Sequence, residues 1–112
     1  MYKLEYLRIA IDDMNNIVYY VSNKLNNRVA AINLATEFIK EANNLLTFPY
    51  GNSEYIPINQ TKLKYRRTKI KNFLMFYTIN EDNKTITIVR VLHQKQSINK
   101  LFSDNKELST NK

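Results

Sequence analysis

Apolar and polar residues recur along this chain with a period that switches between two and about 3.6, and each switch marks an element. Tyr2, Leu4 and Tyr6 alternate with Lys3, Glu5 and Leu7, the pattern of a short strand with one wet face at its start. The period then lengthens. Over residues 10–25, Met14, Val18, Val21 and Leu25 share one side of a helix, and Asp12 and Asp13 fall in its expected first turn, where carboxylates favour the positive helix end. Asn26 and Asn27 break the pattern. A second helix is predicted over 28–46, with Ala31, Ala35, Phe38, Ala42 and Leu45 as its stripe, and the small alanines let the two backbones approach closely. A two-residue connection makes the pair an antiparallel hairpin.

Phe48, Pro49, Tyr50 and Gly51 end the second helix, because proline cannot continue it, and an irregular loop containing Pro57 is expected to run to about residue 61. Loops of that length often carry function. Three strand-like runs follow, at 62–71, 73–79 and 84–93, the last two joined by a polar turn of Asn80, Glu81, Asp82 and Asn83. The third run is almost continuously apolar and therefore interior to the sheet. Residues 96–102 predict one short helical turn with Ile98, Leu101 and Phe102 inward, and the polar tail 103–112 is expected to fray.

The fold class this order predicts is α+β: a helical hairpin packed on one face of a small, mainly antiparallel sheet, arranged β-α-α-β-β-β with a short C-terminal helix, in a single domain over 1–102. One helical layer leaves the opposite sheet face open. Along the first of the three late strands, Lys64, Arg66, Thr68 and Ile70 alternate with Tyr65, Arg67, Lys69 and Lys71. Thr68 and Ile70 suit burial, so Arg67, Lys69 and Lys71 are expected on the open side. That strand is expected to lie alongside the strand ending at His93.

Composition narrows the chemistry. With 112 residues, no cysteine and one histidine, the chain lacks the makings of a disulfide scaffold, a thiolate metal site or an imidazole cluster, so neither a metal nor a cofactor is expected. No run of apolar residues is long enough to span a membrane, and no secretion signal is evident, which makes the cytosol the expected location. The chain has sixteen asparagines and one glycine, and asparagine takes turn positions where glycine is usual, as at Asn26, Asn27, Asn80 and Asn83. The net charge of +7 is unevenly spread: residues 1–61 sum to −1 and residues 62–112 to +8. Lys62, Lys64, Arg66, Arg67, Lys69 and Lys71 form a run without an acid. A solvated edge strand that blocks aggregation is one reading of such a run; a docking face for a polyanion or an acidic partner is the other.

Several clusters, in this order and spacing, resemble the RelE/ParE family of bacterial type II toxins: Ala10–Ile11–Asp12–Asp13 after the first strand, Leu45–Leu46–Thr47–Phe48–Pro49, Tyr65–Arg66–Arg67, Asn72–Phe73–Leu74–Met75–Phe76–Tyr77, and Arg90–Val91–Leu92–His93–Gln94–Lys95. The resemblance implies one of two activities, ribosome-dependent cleavage of messenger RNA or poisoning of DNA gyrase, and a cognate antitoxin whose acidic, partly disordered segment wraps the basic half. Cleavage by a ribose 2′-hydroxyl needs a proton acceptor, cations at the phosphorus and a donor for the leaving oxygen. The resemblance implies His93, Arg67 and Glu54 as the catalytic set, and Arg66, Lys69, Lys71, Lys95 and Tyr65 as RNA contacts, with Tyr65 stacking on a base. Leu74 stands where the family's nucleases usually carry arginine, and the segment after His93 lacks an arginine cluster. The expected function is a ribosome-dependent mRNA endoribonuclease, with a gyrase inhibitor and a non-toxic nucleic-acid-binding module as alternatives.

Overall fold

A computed structural model describes residues 1–52, 54–55 and 64–96 of the chain. Its elements are β1 (Lys3–Tyr6), α1 (Arg8–Tyr19), a π-helical turn (Tyr20–Lys24), α2 (Arg28–Thr47), β2 (Glu54–Tyr55), β3 (Tyr65–Ile70), β4 (Phe73–Asn80) and β5 (Thr85–His93). The strands form one sheet in the order β1-β5-β4-β3-β2, with β1 parallel to β5 and every other pair antiparallel. Both helices pack on one face, giving the expected α+β architecture. The expected C-terminal helix lies, Gln96 apart, outside the described residues, as does the tail beyond it.

The helix α1 begins two residues earlier than its periodicity suggests, with Leu7 in extended backbone as its uncapped first neighbour. Asp12 and Asp13 therefore sit in the second turn, and their role is not the one expected. Asp12 meets Arg8 one turn back at 3.4 Å on an exposed surface. Asp13 reaches across to β5, where its carboxylate accepts bonds from Arg90 Nε and Nη2, both at 2.8 Å, and from the Val91 backbone N–H at 3.0 Å. β1 stops at Tyr6, so Asp13 takes over at the β5 edge just beyond the strand's end.

Asn26 adopts a left-handed φ of 52°, the glycine-like turn conformation that asparagine tolerates best among residues with a side chain. Asn27 caps α2 through a bond from the Ala30 N–H at 3.0 Å. The buried stripe of α2 is Ala31, Leu34, Phe38, Ala42 and Leu45; Leu34 replaces Ala35, which is half-buried. Leu34, Phe38, Ala42 and Leu45 meet Ile70, Met75, Tyr77, Ile86, Ile88 and Val91 to form the main core, with the Phe38 and Phe73 rings edge-to-face at 5.8 Å.

Strand β5 is buried along most of its length because apolar clusters cover both of its faces, and a bulge interrupts its alternation. Phe76 pairs with Arg90 and Tyr77 with Ile88, leaving Val89 as the extra residue. Before the bulge Ile86 and Ile88 face the helices; after it Val91 does, while Val89 and Leu92 join Tyr65 and Phe76 on the other face. That second cluster is at most 5% exposed, and Leu7 and Leu74 pack against it. The face away from the helices is thus not the bare cationic plane expected from sequence. Its centre is apolar.

Candidate functional site

On β3 the alternation is as expected where it is described. Thr68 points to the helices, donating to Glu41 of α2 at 2.7 Å, and Ile70 enters the main core. Arg67 and Lys69 lie on the other face and are exposed. Lys69 pairs across β4 with Leu74, which in turn pairs with Leu92, so an apolar residue holds the centre of this row. Lys71 is exposed in the tight β3–β4 turn with φ at 53°.

Tyr65 corrects one expectation. Its ring is fully buried within the second apolar cluster, because that face has an interior of its own, and it offers no surface to a base.

Arg66 faces the side of the loop that follows α2. Its guanidinium lies 4.8 Å from the centre of the Tyr50 ring, donates to the Asn52 carbonyl and pairs with Glu54 at 3.7 Å, its registered neighbour on β2. The same loop is anchored by Tyr77, whose hydroxyl donates to the Pro49 carbonyl at 3.3 Å and accepts from Asn52 Nδ2 at 3.2 Å. Burial raises the Tyr77 phenol above its ordinary range. Arg66 and Glu54 therefore brace the loop against the sheet, and each is already engaged by a partner in the protein.

His93 ends β5 on the helical side. Its ring stands edge-on to Phe73 at 5.3 Å, and Phe73 packs against the main core. The Lys95 backbone N–H donates to Nδ1 at 3.0 Å, which leaves Nε2 to carry the proton of the neutral ring. The His93 backbone N–H donates to Gln96 Oε1 at 2.7 Å. The imidazole opens on a cleft of about 470 Å³ between the end of α1, the π-helical turn and the β3–β4 turn, lined by Ile17, Tyr20, Val21, Leu25 and Phe73 among others. The expectation that His93 and the basic strand lie side by side fails. β4 runs between them, and alternation sends His93 to one face and Arg67 with Lys69 to the other.

Two charged assemblies were not foreseen from sequence. One is the Asp13–Arg90 pair. The other gathers at the β4–β5 tip, where Glu81 accepts bonds from the Tyr2 hydroxyl at 2.5 Å, from the Tyr50 hydroxyl and from Lys84 at 2.7 Å. Lys84, Tyr2 and Tyr50 hold the Glu81 carboxyl down at about 2, and the bond to Glu81 drives the Tyr50 phenol up to about 12. The only local signal for this cluster was the Glu81–Lys84 spacing within one turn. Among the described residues no three His, Asp or Glu side chains are grouped as metal ligands, and no helix is long and apolar enough to cross a membrane.

This arrangement of hairpin and sheet recurs in solved toxin–antitoxin structures. It is shared with a chain of the chromosomal ParDE TA system from P. aeruginosa (20% identity, TM-score 0.62, 83% of this chain and 96% of that one). It is shared also with the archaeal RelE–RelB complex from Pyrococcus horikoshii OT3 (12%, 0.59, 86% and 98%) and the RelBE2 toxin–antitoxin complex from Mycobacterium tuberculosis (15%, 0.52, 82% and 96%). No curated protein matches the chain. The model of the family described as ParE toxin of type II toxin-antitoxin system, parDE, matches residues 4–98, and the chain belongs to that family.

Proposed function

We propose that this toxin arrests growth by contacting DNA gyrase as a protein, without cutting RNA, and that a cognate antitoxin neutralises it by laying an acidic, partly disordered segment along the cationic half. The observation that carries the reading is the separation of His93 from Arg67 by β4 and by the two faces of the sheet. An RNA-cleaving site needs its proton acceptor and its phosphate clamp within reach of one phosphate. Glu54 and Arg66 bind each other, Tyr65 is buried, and Leu74 offers no charge. A protein target is further supported by Val29, Ile32 and Ile39, which lie exposed on the outer side of α2.

The test compares two activities of the purified protein. Inhibition of supercoiling by gyrase, with ribosome-bound messenger left intact, is the expected pair of results. Codon-located cuts in messenger that vanish in both Arg67→Ala and His93→Ala would replace the gyrase reading by the nuclease. That second reading draws on Arg67 and Lys69, two exposed cations on one sheet face. Strongly salt-dependent nucleic-acid binding with neither activity would leave only a binding module.

A further inference from the structure

We infer that the cleft beside His93 is a docking pocket for one bulky apolar side chain of an acidic peptide segment in a partner protein. This rests on the acidic-partner reading given above and adds where the segment is anchored. The floor of the cleft is aliphatic and aromatic: Ile17, Val21 and Phe73 are only partly buried although they pack on the core. Its rim is made by Tyr20 and Leu25, which are 54% and 55% exposed. Nothing among the described residues covers these side chains.

The backbone that builds the rim is unusual. Residues 20–24 form a π-helical turn, with the Leu25 N–H bonded to the Tyr20 carbonyl at 3.0 Å and the Asn27 N–H to the Val21 carbonyl at 3.1 Å. A π-turn is rare and occurs often at functional sites. Here the widened turn and the residue that caps it carry Tyr20, Val21 and Leu25, all three of which line the cleft.

The polar groups of the cleft suit a peptide. Among the described residues no hydrogen bond is made by the Asn16 or Asn72 side chains, the Tyr20 hydroxyl or His93 Nε2, so donors and acceptors for a passing backbone stand around an apolar floor. Charge selects the class of peptide. Lys71 precedes Asn72 and Lys95 follows His93 by two residues; both lysines are exposed, and the half of the chain that contains them sums to +8. Ile17, Val21 and Leu25 beside the Phe73 ring make a mixed apolar lining that suits a leucine or phenylalanine side chain.

The probe is a pair of short synthetic peptides of Glu, Asp and Ser, one with a central Phe–Leu pair and one with Ser–Ser in its place. Binding is followed by the ring signals of His93 and Phe73 in solution NMR. The Phe–Leu peptide is expected to shift both rings and to bind about tenfold more tightly than its Ser–Ser counterpart. Leu25→Asp, at an exposed position that leaves the fold intact, should abolish that difference, while Lys71→Glu with Lys95→Glu should weaken both peptides together. Equal binding of the two peptides would overturn the pocket and spare the acidic-partner reading; failure of both at low salt would overturn both. A single-stranded RNA oligonucleotide that shifts the same rings at lower concentration than the peptides would overturn the peptide assignment.

Discussion

The β1–α1 junction and the β4–β5 tip each gather three hydrogen-bond donors around one carboxylate, yet they do different work. At the junction Asp13 is held by Arg90 and the Val91 N–H, and the pair is 3% exposed on the arginine and 14% on the aspartate. At the tip Glu81 is held by Lys84, Tyr2 and Tyr50, and its pair with Lys84 is about half exposed on both sides. A desolvated charge depends on its partner, because water no longer answers for it. An exposed charge loses little when a partner leaves. The junction therefore closes the core where β1 ends, whereas the tip tethers the N-terminus and the loop after α2 to a hairpin that remains wet.

The sharpest way to break that contrast is Asp13→Ala. It takes the two-point acceptor away from the buried Arg90 guanidinium and removes the acceptor of the buried Val91 N–H, and the expected loss is about 3–5 kcal/mol of unfolding free energy, the usual cost of removing one partner of a buried pair. Chemical denaturation measures it directly. A loss below about 1 kcal/mol would mean that water reaches Arg90 and that the junction behaves like the tip.

Arg66 and Lys69 sharpen the comparison from within a single strand, since they lie three residues apart on β3 and face opposite sides. Arg66 holds the Asn52 carbonyl, Glu54 and the Tyr50 ring at once, with a side chain 17% exposed, so Arg66→Ala should cost about 1–2 kcal/mol and loosen the loop. Lys69→Ala, on the exposed side, should fall within about 0.5 kcal/mol of the parent. Amide hydrogen exchange at residues 50–52 distinguishes the two: faster in the first variant, unchanged in the second.

Local periodicity carried the reading of both helices, the three long strands and the outward placement of Arg67 and Lys69, because each depends on neighbours within a turn or a strand. What escaped it depends on distant partners. Asp13 meets Arg90 across 77 residues and Tyr2 meets Glu81 across 79, so nothing in either neighbourhood marks them. The bulge at Val89 is silent in a run that is apolar on both faces, and it is the bulge that turns Leu92 to join Val89 on the face expected to be open. The basic strand was expected beside the strand that ends at His93, and that adjacency fails because β4 lies between β3 and β5. The π-turn hides in the same way, since Val21 and Leu25 keep a helical spacing while the hydrogen bonds between them change.

The smallest effect is expected at the tip, and its value lies in its sign. Lys84, Tyr2 and Tyr50 hold the Glu81 carboxyl at about 2 against an ordinary 4.5, so its contribution to stability is present above pH 4.5 and is lost as the pH falls through about 2. The bond to Glu81 holds the Tyr50 phenol at about 12 against 10, so that contribution is present below pH 10 and is lost as the pH rises through about 12. Between those limits the cluster is indifferent to pH, and its exposure keeps its share of the stability small. Glu81→Gln removes the charge that both phenols face. Tyrosinate absorbance should then show Tyr50 titrating near its ordinary value, with the midpoint of denaturation almost unmoved. A large drop in that midpoint would show that the tip, like the junction, supports the core, and the two carboxylates would no longer stand as opposites.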